Sequence, residues 1–273
     1  MGSRFRIAKG FAAVLVVAAL AGAVAAGCDG DGGGEASAEE IQAVEDILKQ
    51  AFESGGEDAD FFFAHVTDNL IETVLFSTRA DCQANAADCI GEPSAIESIA
   101  ATEIDGDSAS STVTADFGMF QVGLVREGDV WMVDSLEAAS DTVPAGAASV
   151  ELGLTEFAFT LDSAGIPADG NFAFHVTNDG AQPHEVIVLS VPPDVPLQEA
   201  LESAGEEEPP VGFKVFIQPG QEVDMAFESM LAPGRYALVC FFPDRDDPEM
   251  TPHAEKGMLA EFTVGGNGTD ATP

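Results

Sequence analysis

Basic residues are scarce in this chain. Its 273 residues include 10 Lys and Arg against 48 Asp and Glu, which gives a formal net charge of −38 at pH 7. An acidic surface of this size repels the phosphates of nucleic acids and anionic lipid head groups, so the composition argues against a nucleic-acid-binding protein. Two explanations of the acidity stay open: adaptation to a saline habitat, and a docking face for a basic partner.

The N-terminus has the layout of an export signal. Three basic residues precede an apolar run over residues 11–26, which is short for a membrane span and ends in small side chains. The residues Val24-Ala-Ala-Gly-Cys28 resemble a bacterial lipobox. We therefore expect residues 1–27 to be a lipoprotein signal peptide and Cys28 to carry a lipid. The alternative is an ordinary signal peptide cut nearby.

The residues after Cys28 have nothing to bury. Residues 28–37 are rich in Gly and Asp, a composition typical of a flexible tether. We expect this tether to hold the folded part away from a membrane. The protein is thus predicted to be extracytoplasmic, at the cell surface or in the periplasm, and anchored to the membrane by its N-terminal lipid.

Cysteine is rare as well, with four in the chain. If Cys28 carries the lipid, Cys82 and Cys89 remain as a close pair and Cys240 is left alone. In an oxidising compartment the pair is predicted to form a disulfide, whose loop closure contributes about 2.5 kcal/mol. An unpaired thiol is a liability there unless it is buried or bound, which favours a metal-binding role for Cys240.

Helix patterns come before strand patterns in the N-terminal half. Ile41, Val44, Leu48 and Phe52 share one face of a helix that Ser37 can cap. A second helical or mixed stretch over residues 58–76 follows. Two strand patterns come next, over residues 106–117 and 120–134, and the second turns back on itself at residues 127–129.

This order of elements resembles the α+β cone of the NTF2-like superfamily. Its motifs here are Gly-Asp-x-Ala at residues 106–109 and Gly-Asp-x-Trp at residues 128–131. The resemblance implies an NTF2-like domain over residues 38–138, and fold analogy alone assigns it no function. His65, Asp68 and Asp116 are candidates for an acid–base site, with solvent-facing polar residues as the alternative. Residues 139–148 contain Pro and Gly and are predicted to be a linker.

Apolar residues alternate with period two in the C-terminal half, which indicates β-strands. Phe172, Phe174 and Val176 alternate in this way, and so do residues 186–188 and 238–242. Turn sequences at residues 178–180, 218–220 and 232–234 separate the strands, and residues 196–204 have the spacing of a short helix. The pattern predicts a β-sandwich over residues 149–264, followed by a disordered tail at 265–273.

Four residues of this half are of the types that a protein needs to hold one copper ion: His184, Cys240, His253 and Met258. Two histidines and a thiolate bind copper strongly in a plane, and a thioether binds weakly on the axis. Three of the four come from one strand and the loop after it, so we expect all four side chains to meet at one end of the sandwich. Taken singly, Cys240 could instead be a small buried hydrophobe and Met258 a core filler.

The segments that carry these residues resemble the cupredoxins, the plastocyanin-like copper proteins. Residues 178–188 are similar to the family's turn, Pro-His and apolar strand, residues 233–240 to its Gly-x-Tyr strand with the ligand cysteine, and residues 252–258 to its Pro-His and Gly-Met ending. The resemblance implies a Greek-key sandwich with a type 1 copper site. His184, Cys240 and His253 would be its equatorial ligands and Met258 its axial ligand.

Two features depart from the family pattern. Twelve residues separate Cys240 from His253, where plastocyanin-type loops are much shorter, although copper nitrite reductases close a site with a longer loop. Glu185 stands where plastocyanins have an asparagine whose side chain helps to lock the two ligand segments together.

The resemblance implies a single-electron carrier. Catalysis would need a second metal or an open coordination position, so we expect no enzyme activity and no catalytic residue. The expected partner is a redox protein with a basic face, and the expected state is a monomer. The alternatives are a metal-free binding or structural protein, and a copper-delivery protein. A calcium site built from Asp244, Asp246, Asp247 and Glu249 is a weaker option, because the loop lacks the glycine-containing spacing of a known motif.

Overall fold

The computed structural model describes residues 36–202 and 209–265. The expected signal peptide, the lipid-bearing Cys28, most of the tether and the tail beyond Gly265 lie outside the described residues. No helix within these two ranges is long and apolar enough to cross a membrane.

Five short helices open the described chain. α1 begins at a capping box, in which the Ser37 side chain accepts from the Glu40 backbone and the Glu40 side chain accepts from the Ser37 backbone. Val44 and Leu48 on its apolar face are fully buried, as the spacing predicts. The stretch over residues 58–76 is two helices rather than one. The bounds are α1 Ala38–Ser54, α2 Ala59–His65, α3 Asp68–Val74, α4 Arg79–Ala84 and α5 Ala86–Ile90, with a 3-10 turn at Gly55–Asp58.

The predicted disulfide joins α4 to α5. Cys82 and Cys89 are bonded, with their Cα atoms 5.2 Å apart, and Cys82 is fully buried. The pairing inferred from cysteine count and spacing is therefore confirmed. Cys240 is the free cysteine of the described chain, and it is buried.

The first sheet is an antiparallel meander. Its strands are β1 Ile96–Asp105, β2 Ser108–Ala115, β3 Gly118–Glu127 and β4 Val130–Ala138, in that spatial order. The helices cover one face of it, and the buried core includes Leu48, Ile71, Phe120, Val122 and Leu124. The prediction of helices followed by an antiparallel sheet is confirmed, whereas the likeness to the NTF2-like cone stays a prediction.

The second domain is a sandwich of two four-stranded sheets, as predicted. One sheet has the order β10-β7-β5-β6 and the other β12-β11-β8-β9. β5 and β7 pair in parallel, and the remaining pairs are antiparallel. The strands are β5 Ala148–Thr155, β6 Ala158–Leu161, β7 Phe172–Asn178, β8 His184–Val191, β9 Gly212–Ile217, β10 Glu222–Ala226, β11 Gly234–Val239 and β12 Leu259–Val264, and the predicted short helix is α6 Leu197–Glu202.

The segment between β4 and β5 is tied to the sandwich. The Asp141 carboxylate lies 2.6 Å from the ammonium of Lys214, a buried residue of β9, and accepts the Ala226 N–H at 2.9 Å. Gln221 donates to the Ala138 carbonyl at 2.7 Å. These bonds hold the end of the first sheet against β9 and β10, so the two domains share an interface.

Candidate metal centre

The sheet topology delivers the predicted ligands to one place. His184 is the first residue of β8, and Cys240 directly follows the last residue of β11. Because β8 and β11 are antiparallel neighbours, the start of one lies beside the end of the other. His253 opens a 3-10 turn and Met258 directly precedes β12, the other neighbour of β11.

Three of the four predicted ligands converge. The Nδ1 atoms of His184 and His253 are 3.1 Å apart, and Cys240 Sγ lies 3.9 Å from the first and 3.4 Å from the second. All three residues are fully buried. Within the described residues, this trio is the group of His, Cys and acidic side chains whose ligand atoms come close enough, within 4.8 Å, to hold one metal ion.

Met258 lies next to this trio through its backbone. Its N–H donates to the His253 carbonyl at 3.0 Å, and its own carbonyl accepts from the Cys240 N–H at 3.4 Å. The side chain is fully buried. Its role as an axial ligand stays a prediction.

The long loop between Cys240 and His253 is closed by its own backbone bonds. Asp244 donates its N–H to the Thr251 carbonyl at 2.9 Å, His253 donates to Phe242 at 2.8 Å, and Ala254 donates to Cys240 at 2.8 Å. These bonds form a hairpin-like closure that returns His253 to the side of Cys240. The twelve-residue spacing is therefore compatible with a compact site.

Glu156 fixes the orientation of the His184 ring. Its Oε1 lies 3.2 Å from His184 Nε2 and accepts the N–H groups of Ala181 and Gln182 at 2.9 and 2.8 Å. Partial burial works to raise the pKa of Glu156, but the hydrogen bond from the Gln182 backbone and the other donors lower it on balance, so the carboxylate is ionised. An ionised carboxylate only accepts, hence His184 Nε2 carries the proton and Nδ1 presents its lone pair.

Gly180 leaves room for this pair of side chains. A Cβ at position 180 would collide with Glu156 Oε1 and would lie 2.9 Å from His184 Nε2. A residue with a side chain would therefore displace the carboxylate from the ring.

Gln182 orients the ring of His253, as Glu156 orients the ring of His184. Its amide nitrogen donates to Asp244 at 2.7 Å, and its Oε1 accepts the Arg245 N–H at 2.9 Å. The amide orientation is thus set by its partners, and its oxygen lies 3.4 Å from His253 Nε2. His253 therefore also holds its proton on Nε2 and turns the lone pair of Nδ1 inward.

The electrostatics keep all three ligands uncharged at neutral pH when no cation is bound. Burial lowers the pKa of His184, and burial together with the neighbouring His184 lowers that of His253 to about 4. Burial raises the pKa of the Cys240 thiol, and the nearby Glu185 adds to this effect. Two nitrogen lone pairs and a sulfur thus face one another in a fully buried site, a donor set that a thiophilic cation stabilises.

Glu185 joins the two ligand segments. Its carboxylate accepts the Phe241 N–H at 2.6 Å, and its own N–H points to Cys240 Sγ at 3.4 Å. Burial raises the pKa of Glu185 to about 7, while the backbone donors Phe241 and Phe242 work in the opposite direction. The substitution noted in the sequence therefore leaves a side-chain link between the two segments in place.

Two carboxylates of the acidic loop form ion pairs with a lysine. Lys256 Nζ lies 2.5 Å from Asp244 and 2.7 Å from Asp247. Two of the four side chains considered for calcium thus share one ammonium group as their partner, which disfavours the calcium option.

The acid–base candidates of the first domain have local partners instead. His65 Nδ1 lies 2.9 Å from the Phe61 carbonyl of its own helix, and Asp68 pairs with Arg79. Asp116 is exposed in the turn after β2. In the part of the chain that the structure describes, these three do not form a cluster with one another.

Sequence reasoning missed Glu156 and Gln182. Glu156 lies in the turn between β5 and β6, far from any ligand motif, so no spacing could have pointed to it. Gln182 lies two residues before His184, and this proximity was the available signal.

No protein-family model and no curated protein matches the chain. Among solved structures, dithionite-reduced auracyanin from the photosynthetic bacterium Roseiflexus castenholzii is 21% identical over 44% of this chain and 98% of its own, with a TM-score of 0.30. Auracyanin B is 18% identical over 46% of this chain and 94% of its own, with a TM-score of 0.31. Each match takes in nearly all of the other protein and under half of this one.

Proposed function

We propose that the C-terminal sandwich is a cupredoxin-like domain with a one-copper, type 1 site, and that the protein is a single-electron carrier. The observation that carries the proposal is the buried trio, in which two inward-facing Nδ1 atoms and Cys240 Sγ lie within 4.8 Å of one another. Two imidazoles, a thiolate and a neighbouring thioether form the set that suits electron-transfer copper. Bound copper would supply a centre that takes up and releases one electron.

The surrounding residues supply the conditions for such a centre. His184, Cys240 and His253 would hold the metal, with Met258 in the axial place. Glu156 and Gln182 hold the two rings from outside, so little rearrangement is needed when the charge at the site changes. Full burial keeps water and substrates away from the ligands, which suits electron transfer and does not favour copper delivery, because a delivering protein must expose its ligands.

The location of the protein and the nature of its redox partner are part of the same proposal. The signal-like N-terminus and Cys28 support an extracytoplasmic protein with a lipid anchor. The net charge of −38 supports a redox partner with a basic face, since opposite charges speed encounter.

Copper loading with visible absorption tests the proposal. The purified protein, titrated with Cu(II), should develop an intense thiolate-to-copper charge-transfer band that saturates at one ion per chain. Cys240→Ala should abolish the band, and Met225→Leu, a change at a buried methionine of β10, should leave it in place. A folded wild-type protein that stays colourless with copper would refute the electron-carrier function.

A further inference from the structure

A series of phenylalanine rings joins the candidate metal centre to the N-terminal domain. Phe242 follows Cys240 by two residues, and its ring centroid lies 5.4 Å from that of Phe76, which follows α3. On another side Phe242 lies 5.2 Å from Phe216 of β9, which in turn lies 6.2 Å from Phe120 in the core of the first domain. The ligand loop is therefore in aromatic contact with the N-terminal domain by two routes.

Both rings that touch Phe242 come from residues with an uncommon backbone. Phe76 and Phe216 have φ values of 52° and 59°, in the left-handed region that bulky residues rarely adopt. The other non-glycine residues with positive φ in the described ranges are Ala101 and Met250. Such conformations persist where the surroundings impose them, and they are frequent at functional sites.

A β-bulge aims Phe216 at the first domain. β8 and β9 pair His184 with Ile217 and Val186 with Lys214, so two residues of β9 stand opposite the single residue Glu185. A bulge of this kind turns side chains out of their regular alternation. Phe216 accordingly packs on the core of the first domain although it belongs to a strand of the second.

Arg245 makes a polar connection beside the rings. Its guanidinium donates to the Glu72 carbonyl of α3 at 3.0 Å and lies 5.7 Å from the centroid of the Phe76 ring. Its backbone N–H donates to Gln182 Oε1, the atom that faces His253. One loop residue thus links the N-terminal domain to the amide that orients a ligand.

We propose that the N-terminal domain braces the metal centre. Phe76 and the α3 carbonyl at Glu72 hold the ligand loop shut through Phe242 and Arg245, which keeps Cys240 and His253 dry and in place. This inference rests on the proposed function, because the loop positions a metal centre only if Cys240 and His253 bind a metal. It gives the N-terminal half a positioning role that requires no active site of its own.

The reactivity of Cys240 in the metal-free protein tests the brace. In the full chain carrying Cys28→Ser, the disulfide blocks Cys82 and Cys89, so alkylation by iodoacetamide reports how often the loop opens around Cys240. Phe76→Gly removes the ring while glycine accepts the positive φ without strain, and we expect the rate to rise by roughly tenfold. Arg245→Ala, a change at an exposed residue, should raise the rate by roughly threefold.

Two variants serve as matched controls. Arg235 also donates to backbone carbonyls of another segment, those of Pro192, Pro193 and Val195, but it lies at the far end of β11 from Cys240. Arg235→Ala should therefore react at the wild-type rate. Phe76→Tyr keeps a ring at the contact and should also retain that rate.

The outcomes separate this inference from the proposed function. Wild-type alkylation rates in both Phe76→Gly and Arg245→Ala would overturn the brace, and so would an equal rise in Arg235→Ala. If Phe76→Gly does not fold, the comparison of alkylation rates between Arg245→Ala and Arg235→Ala tests the brace. Because thiol reactivity is measured without copper, a protein that stays colourless with copper refutes the electron carrier and leaves the alkylation result unaffected.

Discussion

His184 and His253 face each other through the same ring atom. Their Nδ1 atoms are 3.1 Å apart, while each Nε2 points outward, toward Glu156 in one ring and Gln182 in the other. The outer partners hold the Nε2 protons, so the two Nδ1 lone pairs meet in a fully buried site. In the metal-free protein the Cys240 thiol can donate to the Nδ1 lone pair of His253, 3.4 Å away. A cation beside Sγ would accept both lone pairs, so the arrangement suits a metal.

Removing the charge behind His184 should weaken copper binding. Glu156→Gln keeps an acceptor for the ring but loses the carboxylate that makes the imidazole a stronger donor. We expect Cu(II) affinity to fall by roughly 10–100-fold and the reduction potential to rise, since the oxidised metal depends most on a strong donor. Competition with a chelator and a redox titration measure the two effects.

The control for this change is Glu151→Gln, at an exposed carboxylate of β5. It alters the net charge by the same amount without contact to a ligand ring. Equal affinity losses in both variants would show that the general field of the protein, rather than the hydrogen bond to His184, sets copper binding.

The cluster of His184, Cys240 and His253 could be predicted from the sequence because its chemistry is local. Cys240, His253 and Met258 lie on one strand end and one loop, and His184 has a recognisable turn before it. The disulfide could be predicted from the seven residues that separate Cys82 from Cys89 and from the expected export of the protein. In these cases short spacing and residue type carry most of the information.

The partners of the ligands could not be predicted, because tertiary contacts select them. Glu156 comes from the turn between β5 and β6 and reaches His184 only when the two sheets pack. The β-bulge that turns Phe216 toward the first domain could not be read from the sequence, because phenylalanine rarely adopts a positive φ. The sequence pattern does not predict β1 either. Its side chains are half-buried or exposed, so the alternation of apolar and polar residues is weak.

The methionine before β12 should tune the metal rather than hold it. An axial thioether bond is long and weak, so Met258→Leu should retain the charge-transfer band and raise the reduction potential. Spectra and redox titration of the copper-loaded variant measure this. Met225→Leu is the matched control in the same core, and a lost band or a lowered potential in Met258→Leu would contradict an axial role.

The lipid anchor can be tested in cells. Cys28→Ser removes the acceptor that the lipobox resemblance assigns, so the protein should move from the membrane fraction to the soluble extracytoplasmic fraction. Immunoblots of the two fractions measure the shift. Cys240→Ser should leave the protein with the membrane, and a Cys28→Ser protein that also stays there would show that another feature anchors it.

Replacing Glu185 should make the metal-free protein more stable, by an amount that depends on pH. Burial raises its pKa in the folded protein to about 7, against an ordinary value of 4.5, so its protonated form is favoured by folding. The stability that this contributes is complete below about pH 4.5 and is lost as the pH rises through about 7. Glu185→Gln keeps an amide oxygen to accept the Phe241 N–H and has no charge to bury. The metal-free variant should therefore exceed the wild type in free energy of unfolding by on the order of 3 kcal/mol at pH 8. The advantage should fade toward pH 4.5.

Urea unfolding of both proteins at each pH from 4.5 to 8 measures this difference. His253 titrates in the opposite sense, because burial lowers its pKa to about 4 and stability falls as the pH drops from its ordinary value of 6.5. Its contribution is present in both proteins, so subtracting the wild type at each pH removes it. Glu127→Gln, at an exposed carboxylate of β3, should show no such rising difference. If the Glu185→Gln difference stays flat across this range, Glu185 is ionised in the folded protein at no cost, and its place beside the ligands rests on the hydrogen bond to Phe241 alone.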